Sequence, residues 1–180
     1  MLPVVLTIAG SDSGGGAGIQ ADIKAISANG GFAASVITAI TAQNTRAVLA
    51  AEPVSLELIG AQLEAVFEDL PIAAVKTGML ATAPIVALVS QRLQEYRAPH
   101  LVVDPVMISK SGYRLLDEAA IATVRERLIP LATLITPNAH EATHLTGRPV
   151  RTRQEAREAA QQLLELGVPG GAGQGGAFGR

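Results

Sequence analysis

Residues 6–24, LTIAGSDSGGGAGIQADIK, join a short apolar run, a glycine-rich stretch and an amphipathic segment. Five glycines lie between positions 10 and 18, a density that neither a helix nor a strand tolerates. The apolar run before them predicts a buried strand, and apolar residues recur after them at helical spacing, at Ile19, Ile23 and Ile26. The stretch therefore predicts a strand, a tight loop and a helix. We expect backbone N–H groups at the helix N-terminus to be available to a small polar or anionic ligand.

The glycine-rich loop does not match the common phosphate-binding motifs. A dinucleotide fingerprint that begins at Gly14 needs a glycine at position 19, where Ile19 stands. A phosphate-binding loop that begins at Gly10 needs a lysine directly after Gly15, where the chain has Gly16. Judged by its glycines alone, the loop is equally compatible with a ligand site and with an ordinary tight turn.

Bulk composition limits the class of protein. The chain has 180 residues, of which 48% are hydrophobic, so it is long enough for one domain with a sizeable core. Aromatic residues make up 3% and the net charge is −2, which argues against a nucleic-acid partner. There is no cysteine, and no run of apolar residues is long enough to cross a membrane. We expect a cytoplasmic domain without membrane contact.

The rest of the chain alternates short apolar runs with segments of helical periodicity, which predicts a parallel α/β sheet. Helix N-caps are predicted at Ser55 and Thr82, a helix start at Asp117, and a capping box from Thr152 to Glu155. The further strands are expected at 35–40, 73–76, 101–103 and 134–135, and the last two helices at 139–145 and 153–166.

Polar residues follow the predicted strands at or just beyond their ends. They are Asp12, Gln43, Lys76, Asp104 and Asn138. Open α/β sheets bind their ligands at the carboxyl ends of the strands, so these side chains are expected at one ligand site. Any single one of them could equally be an ordinary loop residue.

Five stretches, taken together and in order, resemble one enzyme family. They are 9–22, 36–45, 76–80, 103–112 and 134–141, and the resemblance covers residues 4 to 169. The family is that of the hydroxymethylpyrimidine and phosphomethylpyrimidine kinases of thiamine biosynthesis, which belong to the ribokinase-like group. The resemblance implies a ribokinase-like three-layer sandwich, a mostly parallel sheet with helices on both faces, here lacking its C-terminal part. Pyridoxal kinases have overlapping motifs and remain an alternative.

The resemblance also implies a pocket for an aminopyrimidine. Its residues correspond to Gly10, Asp22, Gln43, Met79 and Val106. A glutamine amide offers the acceptor and the donor that match the amino group and ring nitrogen of such a ligand. Apolar side chains can enclose its flat ring. Alternatively, Met79 and Val106 are core residues, and Asp22 is a solvated carboxylate near a helix N-terminus.

On the nucleotide side, the resemblance implies roles for Asp104, Asn138 and Glu141. Asp104 and Glu141 would hold Mg²⁺ through water, and Lys76 is either a point charge for phosphate or a solvated lysine. The implied reaction transfers the γ-phosphoryl group of ATP to a hydroxymethyl or phosphomethyl group. The family also suggests a homodimer.

His140-Glu141-Ala142-Thr143-His144 matches the zinc-protease motif HExxH. Such a site needs a third protein ligand, and the only other histidine is His100. A zinc hydrolase is therefore a minor alternative, and we favour two surface histidines.

The family is longer than this chain, and no stretch after Gly167 resembles its glycine-rich anion hole. We therefore expect residues 1–169 to form the substrate half of a kinase domain, and this chain to be inactive as a kinase. A non-catalytic pyrimidine-binding remnant is an alternative. Residues 170–180 form a glycine-rich tail that we interpret as a frameshift product. Their permitted codons, read one nucleotide later, can encode Ala-Val-Leu-Val-Lys-Gly-Gly-His-Leu, which resembles the family's next strand.

Overall fold

A computed structural model of the chain describes residues 2–107, 116 and 118–167. The strands within these ranges are β1 (Val4–Ala9), β2 (Phe32–Ile37), β3 (Ala39–Gln43), β4 (Val48–Pro53), β5 (Ile72–Thr77), β6 (Leu101–Val103) and β7 (Leu134–Ile135). The helices are α1 (Gly18–Ala28), α2 (Leu56–Asp69), α3 (Ala83–Glu95), α4 (Glu118–Thr123), α5 (Ala139–Thr146) and α6 (Arg153–Leu164). None of the helices described is long and apolar enough to cross a membrane.

Five of the strands form one parallel sheet in the order β2-β1-β5-β6-β7. Because side chains alternate between the two faces of a strand, its residues show what each face contacts. Thr7 lies beside Lys76 in the register and donates a hydrogen bond to Asp22 of α1. On the opposite face, Leu6 and Ile8 belong to the buried core that also contains Ile59 and Leu63 of α2 and Val89 of α3. Helices thus cover both faces, as the sequence predicts.

The strand predicted at 35–40 is wrong in its bounds. The chain leaves the sheet at Thr38, and β3 then pairs with β4 in a separate antiparallel hairpin. Thr38 is buried, and its hydroxyl donates to the carbonyl of Met79 at 2.6 Å. Ile40 on β3 is 52% exposed. An apolar run without clear alternation does not show where the chain changes from one sheet to another, and this run continues across the change.

The predicted helix ends are partly confirmed. Ser55 caps α2, with its hydroxyl accepting from Leu58 N–H, and the capping box of Thr152 and Glu155 begins α6. Thr82 precedes α3 but makes no side-chain capping bond. Helix α4 continues into a π-helical turn at Val124–Leu128.

Three sequence features lie outside the described residues. They are residues 108–112 of the stretch at 103–112, the helix start at Asp117 and the tail at 170–180.

The turn from the glycine loop into α1 depends on Gly18. Its φ is +55°, and a Cβ at this position would collide with the carbonyl oxygen of Gly10. At Gly60 in α2, apart from its chain neighbours and the backbone of its own helix, no atom of the described residues lies within 4 Å of the position that its Cβ would occupy. Replacement of Gly60 by alanine is therefore a suitable control for the same replacement at Gly18.

We predict that Gly18→Ala lowers the free energy of unfolding by about 1–3 kcal/mol, because alanine is strained at positive φ and meets a carbonyl. Gly60→Ala should raise it by about 0.5–1 kcal/mol, since alanine favours the helix. Urea denaturation followed by circular dichroism measures both changes. Equal stability of Gly18→Ala and the parent chain would contradict the assigned turn.

Candidate active site

A cavity of about 630 Å³ opens at the carboxyl ends of the parallel strands. It is bounded by the glycine loop, the first turns of α1, the β3–β4 hairpin and the residues that follow β5, β6 and β7. Nine of the ten residues that the sequence assigns to the site line it, namely Gly10, Asp12, Asp22, Gln43, Lys76, Met79, Asp104, Val106 and Asn138. Glu141 is not among the residues that line the cavity. The strand-end polar residues are thus brought together, as expected of a ligand site in such a sheet.

The glycine loop is folded around the carboxylate of Asp12. One carboxylate oxygen accepts from Gly14 N–H at 2.7 Å, and the other accepts from Gly16 and Ala17 N–H at 2.9 and 2.8 Å. Asp12 itself is 4% exposed. At Gly14, Gly16 and Ala17 the expectation of backbone N–H groups available to a ligand is therefore wrong, because a side chain of the same loop already binds them.

Two serines attach the β3–β4 hairpin to the loop. Ser11 Oγ accepts from Thr41 N–H at 3.1 Å, and the Thr41 hydroxyl donates to the Ser11 carbonyl at 2.9 Å. Ser13 Oγ accepts from Gln43 N–H at 2.7 Å and donates to the Gln43 carbonyl at 2.6 Å. Sequence analysis did not single out either serine, although both lie between the glycines.

Gln43 is half-buried and lines the cavity. Both backbone polar groups of Gln43 bond to Ser13. In the described part of the chain, no hydrogen bond uses its side-chain amide. The backbone is therefore held in place, and none of the described residues competes with a ligand for the side-chain amide.

Lys76 lies between two carboxylates. Its Nζ is 2.9 Å from Asp22 Oδ2 and 3.7 Å from Asp104 Oδ2. Thr7 Oγ1 also donates to Asp22 Oδ2, at 2.6 Å. The Lys76 side chain is 25% exposed, so the alternative of a solvated lysine is wrong. The structure also joins Asp22 and Lys76, which the sequence assigned to different halves of the site.

Asp104 follows β6 at the cavity wall. Burial raises the pKa of its carboxyl, the Lys76 charge lowers it, and the Asp22 charge raises it, with a net increase. A cation that binds beside such a carboxylate stabilises its charged form.

Glu141 does not line the cavity but bonds to Asn138, which does. Its carboxylate accepts from Asn138 N–H at 2.9 Å, and Asn138 Oδ1 accepts from Glu141 N–H at 3.0 Å, which forms a capping box at the start of α5. Glu141 is 5% exposed, and burial raises the pKa of its carboxyl. The carboxylate thus holds in place a residue that lines the cavity.

Gly10 and Met79 meet at the floor of the cavity. A Cβ at Gly10 would collide with the terminal methyl of Met79, which is buried. Val106 also lines the cavity and is half-buried. Glycine at position 10 therefore leaves room for the Met79 side chain beside the ligand space.

The HExxH segment does not form a zinc site. His140 and His144 are exposed on α5 with ring centroids 4.5 Å apart, but Glu141 points inward to its capping box. His100 precedes β6 and so lies at the opposite edge of the sheet. Among residues 2–107, 116 and 118–167 there is no group of three potential metal ligands.

A parallel sheet covered by helices, with an open polar cavity at its carboxyl edge, defines an α/β domain that binds a small molecule. The phosphomethylpyrimidine kinase family model matches residues 12–173, and the chain belongs to this family. The hydroxymethylpyrimidine/phosphomethylpyrimidine kinase of Escherichia coli is 50% identical over 163 residues, which are 90% of this chain and 61% of that enzyme. The chain thus spans less than two thirds of this relative.

Two solved structures show the same fold. The phosphomethylpyrimidine kinase of Clostridium difficile is 48% identical with a TM-score of 0.87, over 97% of this chain and 78% of that one. The pyridoxal kinase of Bacillus subtilis, solved as an ADP complex, is 37% identical with a TM-score of 0.85, over 93% of this chain and 64% of that one. The ribokinase-like fold inferred from the sequence is confirmed by these matches.

The contact between Asp22 and Lys76 can be tested by a double-mutant cycle. We predict that Lys76→Met lowers the free energy of unfolding by about 1–3 kcal/mol, because it leaves a partly buried carboxylate without its cation. Adding Asp22→Asn should recover most of this loss, since an amide needs no counter-charge. Urea denaturation of the two single variants and the double variant measures the coupling energy. Strictly additive effects would contradict the ion pair.

The raised pKa of Asp104 makes the folded state bind more protons than the unfolded state above the ordinary carboxyl value of about 3.9. Protonation of Asp104 therefore stabilises the folded state at low pH, and this stabilisation is lost as pH rises from that value through the folded-state pKa. We predict that Asp104→Asn raises the free energy of unfolding at pH 7 and flattens its decline over this range. Glu52→Gln on the exposed hairpin is a control with the same change of charge. An unchanged pH profile in Asp104→Asn would contradict the assigned cause.

Proposed function

We propose that this chain is the substrate half of a kinase of thiamine biosynthesis, an enzyme that transfers the γ-phosphoryl group of ATP to 4-amino-5-hydroxymethyl-2-methylpyrimidine and to its monophosphate. The described residues form the substrate side of its site. The observation that carries the proposal is the side-chain amide of Gln43, which lines the cavity on a backbone held by Ser13 and, among the described residues, has no hydrogen-bond partner. An amide on a fixed backbone can read a hydrogen-bonding edge without first breaking a bond within the protein.

The proposed ligand matches the lining of the cavity. An aminopyrimidine presents an amino donor beside a ring-nitrogen acceptor, which is the complement of a glutamine amide. Met79 and Val106 offer apolar surface to the faces of the ring. Asp22 accepts from the ligand with the part of its carboxylate that Thr7 and Lys76 leave unused. Gly10 keeps the floor of the cavity open.

Asp104 and Asn138 are proposed to face the phosphates. Mg²⁺ is usually held by one or two carboxylates together with water and phosphate oxygens, and Asp104, a partly exposed carboxylate on the cavity wall, fits this requirement. The ion would neutralise charge on the transferred group. Glu141 is proposed to position Asn138, in place of the water-mediated magnesium contact implied by the family. Lys76 would add a positive charge beside the phosphate.

Pyridoxal phosphorylation is a second candidate, because the pyridoxal kinase of Bacillus subtilis shares the fold at 37% identity. A homodimer and a cytoplasmic location belong to the same proposal and rest on the family. Titration calorimetry with the aminopyrimidine, pyridoxal and ATP separates the candidates. Binding of pyridoxal without binding of the pyrimidine would overturn the first.

We predict that Gln43→Leu weakens binding of the aminopyrimidine by about 1–3 kcal/mol, because the donor and acceptor of the ligand then remain unpaired inside the cavity. Calorimetric titration of the purified 180-residue chain measures this loss. Gln161→Leu, on the exposed surface of α6, is the matched control and should bind like the parent chain. Equal affinity of Gln43→Leu and the control would show that Gln43 does not read the ligand.

A further inference from the structure

The carboxylate of Asp12 occupies the position that a bound anion would take in a glycine-rich loop. Three loop amides converge on it, and a fourth, Gly15 N–H, donates to the backbone carbonyl of Asp12 at 2.9 Å. The N–H of Asp12 in turn donates to Gln20 Oε1 of α1 at 2.7 Å. Successive N–H groups that point into one concavity favour an anion there, as does the N-terminus of a helix.

An ordinary capping residue does not explain this arrangement. The N-cap residue of α1 is Ala17, which has no side chain able to cap, and Asp12 supplies the acceptor from five residues earlier. Asp12 is also almost fully buried, so its charge is stabilised by the amides more than by water. Gly15 and Gly18 have φ values of +73° and +55°, so the loop adopts a backbone that other residues reach only at a cost.

The loop that Asp12 shapes is joined to the proposed ligand-reading residue. Gly14 donates to Asp12, and Ser13 beside it holds both backbone groups of Gln43. Gly14, Gly16 and Ala17 also line the cavity. A change in the loop therefore moves both the cavity wall and the strand end that carries Gln43.

We propose that Asp12 is a positioning residue that acts as a built-in anion. Its carboxylate fixes the glycine loop, places Gln43 through Ser13, and prevents an external phosphate from binding to the loop amides. The part concerning Gln43 rests on the proposed function, whereas the occupied anion position does not. Phosphate groups of the substrates would then bind away from the loop amides, and Lys76, which also lines the cavity, is a cation that can contact them.

Chemical rescue provides the test. In Asp12→Ala the loop amides lose their acceptor and a space of carboxylate size opens. We expect aminopyrimidine affinity to fall about tenfold or more, and to recover when formate is added, with chloride at equal ionic strength as reference. The melting temperature of Asp12→Ala should also rise with formate and not with chloride. Asp12→Asn, which retains one acceptor oxygen, should lose less affinity.

Glu155→Ala is the matched control, because Glu155 also accepts backbone N–H groups, those of Arg151 and Thr152, at a helix start remote from the cavity. It should lose some stability, keep its pyrimidine affinity and show no formate effect. If the parent chain binds no pyrimidine, the proposed function is wrong. The role of Asp12 as a built-in anion is then tested by the formate-dependent shift in melting temperature alone.

Two results would overturn the inference. One is an Asp12→Ala variant in which formate changes neither the affinity nor the melting temperature. The other is a formate effect of equal size in the parent chain. If Asp12→Ala does not fold, Asp12→Asn is compared with Asn29→Ala on the surface, and equal pyrimidine affinity of these two would also overturn the inference.

Discussion

The bonds between the Asp12 carboxylate and the amides of the glycine loop are the constraint on which the site depends. The end of β1 and the start of α1 are brought together where Ile19 N–H donates to the Gly10 carbonyl at 3.0 Å. This close approach is possible because Gly18 has no side chain. The amides that the turn exposes need an acceptor, and a buried carboxylate of the same loop supplies it. The sheet edge, the loop and the hairpin thereby become one wall of the cavity.

The opposite wall depends on charge. Lys76 contacts two carboxylates, and burial raises the pKa of Asp104 even in the presence of this cation. Burying three charged groups together costs stability unless each is compensated, and here two carboxylates share one lysine. An excess of negative charge is useful in a site that receives a metal ion with phosphates, because the ion supplies the missing compensation. The loss of folding stability caused by these charges is thus explained by the proposed binding of a metal ion with phosphates.

The sequence predicts the strand-end cluster because hydrophobic runs mark the strands, and the residues that follow them must meet at one edge. The β3–β4 hairpin could not be predicted in the same way. Four of the eleven residues in its strands are alanines, and Ile40 is exposed, so the sequence shows little alternation between apolar and polar positions. The partner of Lys76 was not predictable either, since Asp22 is 54 residues away and only the register of β1 and β5 brings Thr7, Asp22 and Lys76 together. The sequence assigns Asp12 to the strand-end ligand site, but its role as the acceptor for the loop amides depends on backbone angles that glycine leaves open.

The polar residues of the site fall into two groups by their hydrogen bonds. Three carboxylates already bond within the protein. Asp12 accepts from the loop amides, Asp22 accepts from Thr7 and Lys76, and Glu141 accepts from Asn138 N–H. Gln43 differs, because its backbone is bonded on both sides and, within the described residues, its side chain is not. A group that is already bonded within the protein can hold its neighbours in place but gains little from a neutral ligand, whereas an unbonded amide on a fixed backbone gains the full hydrogen bond. Specificity for a neutral ring is therefore expected to come from Gln43, and the charged residues serve mainly to hold the geometry in which it acts.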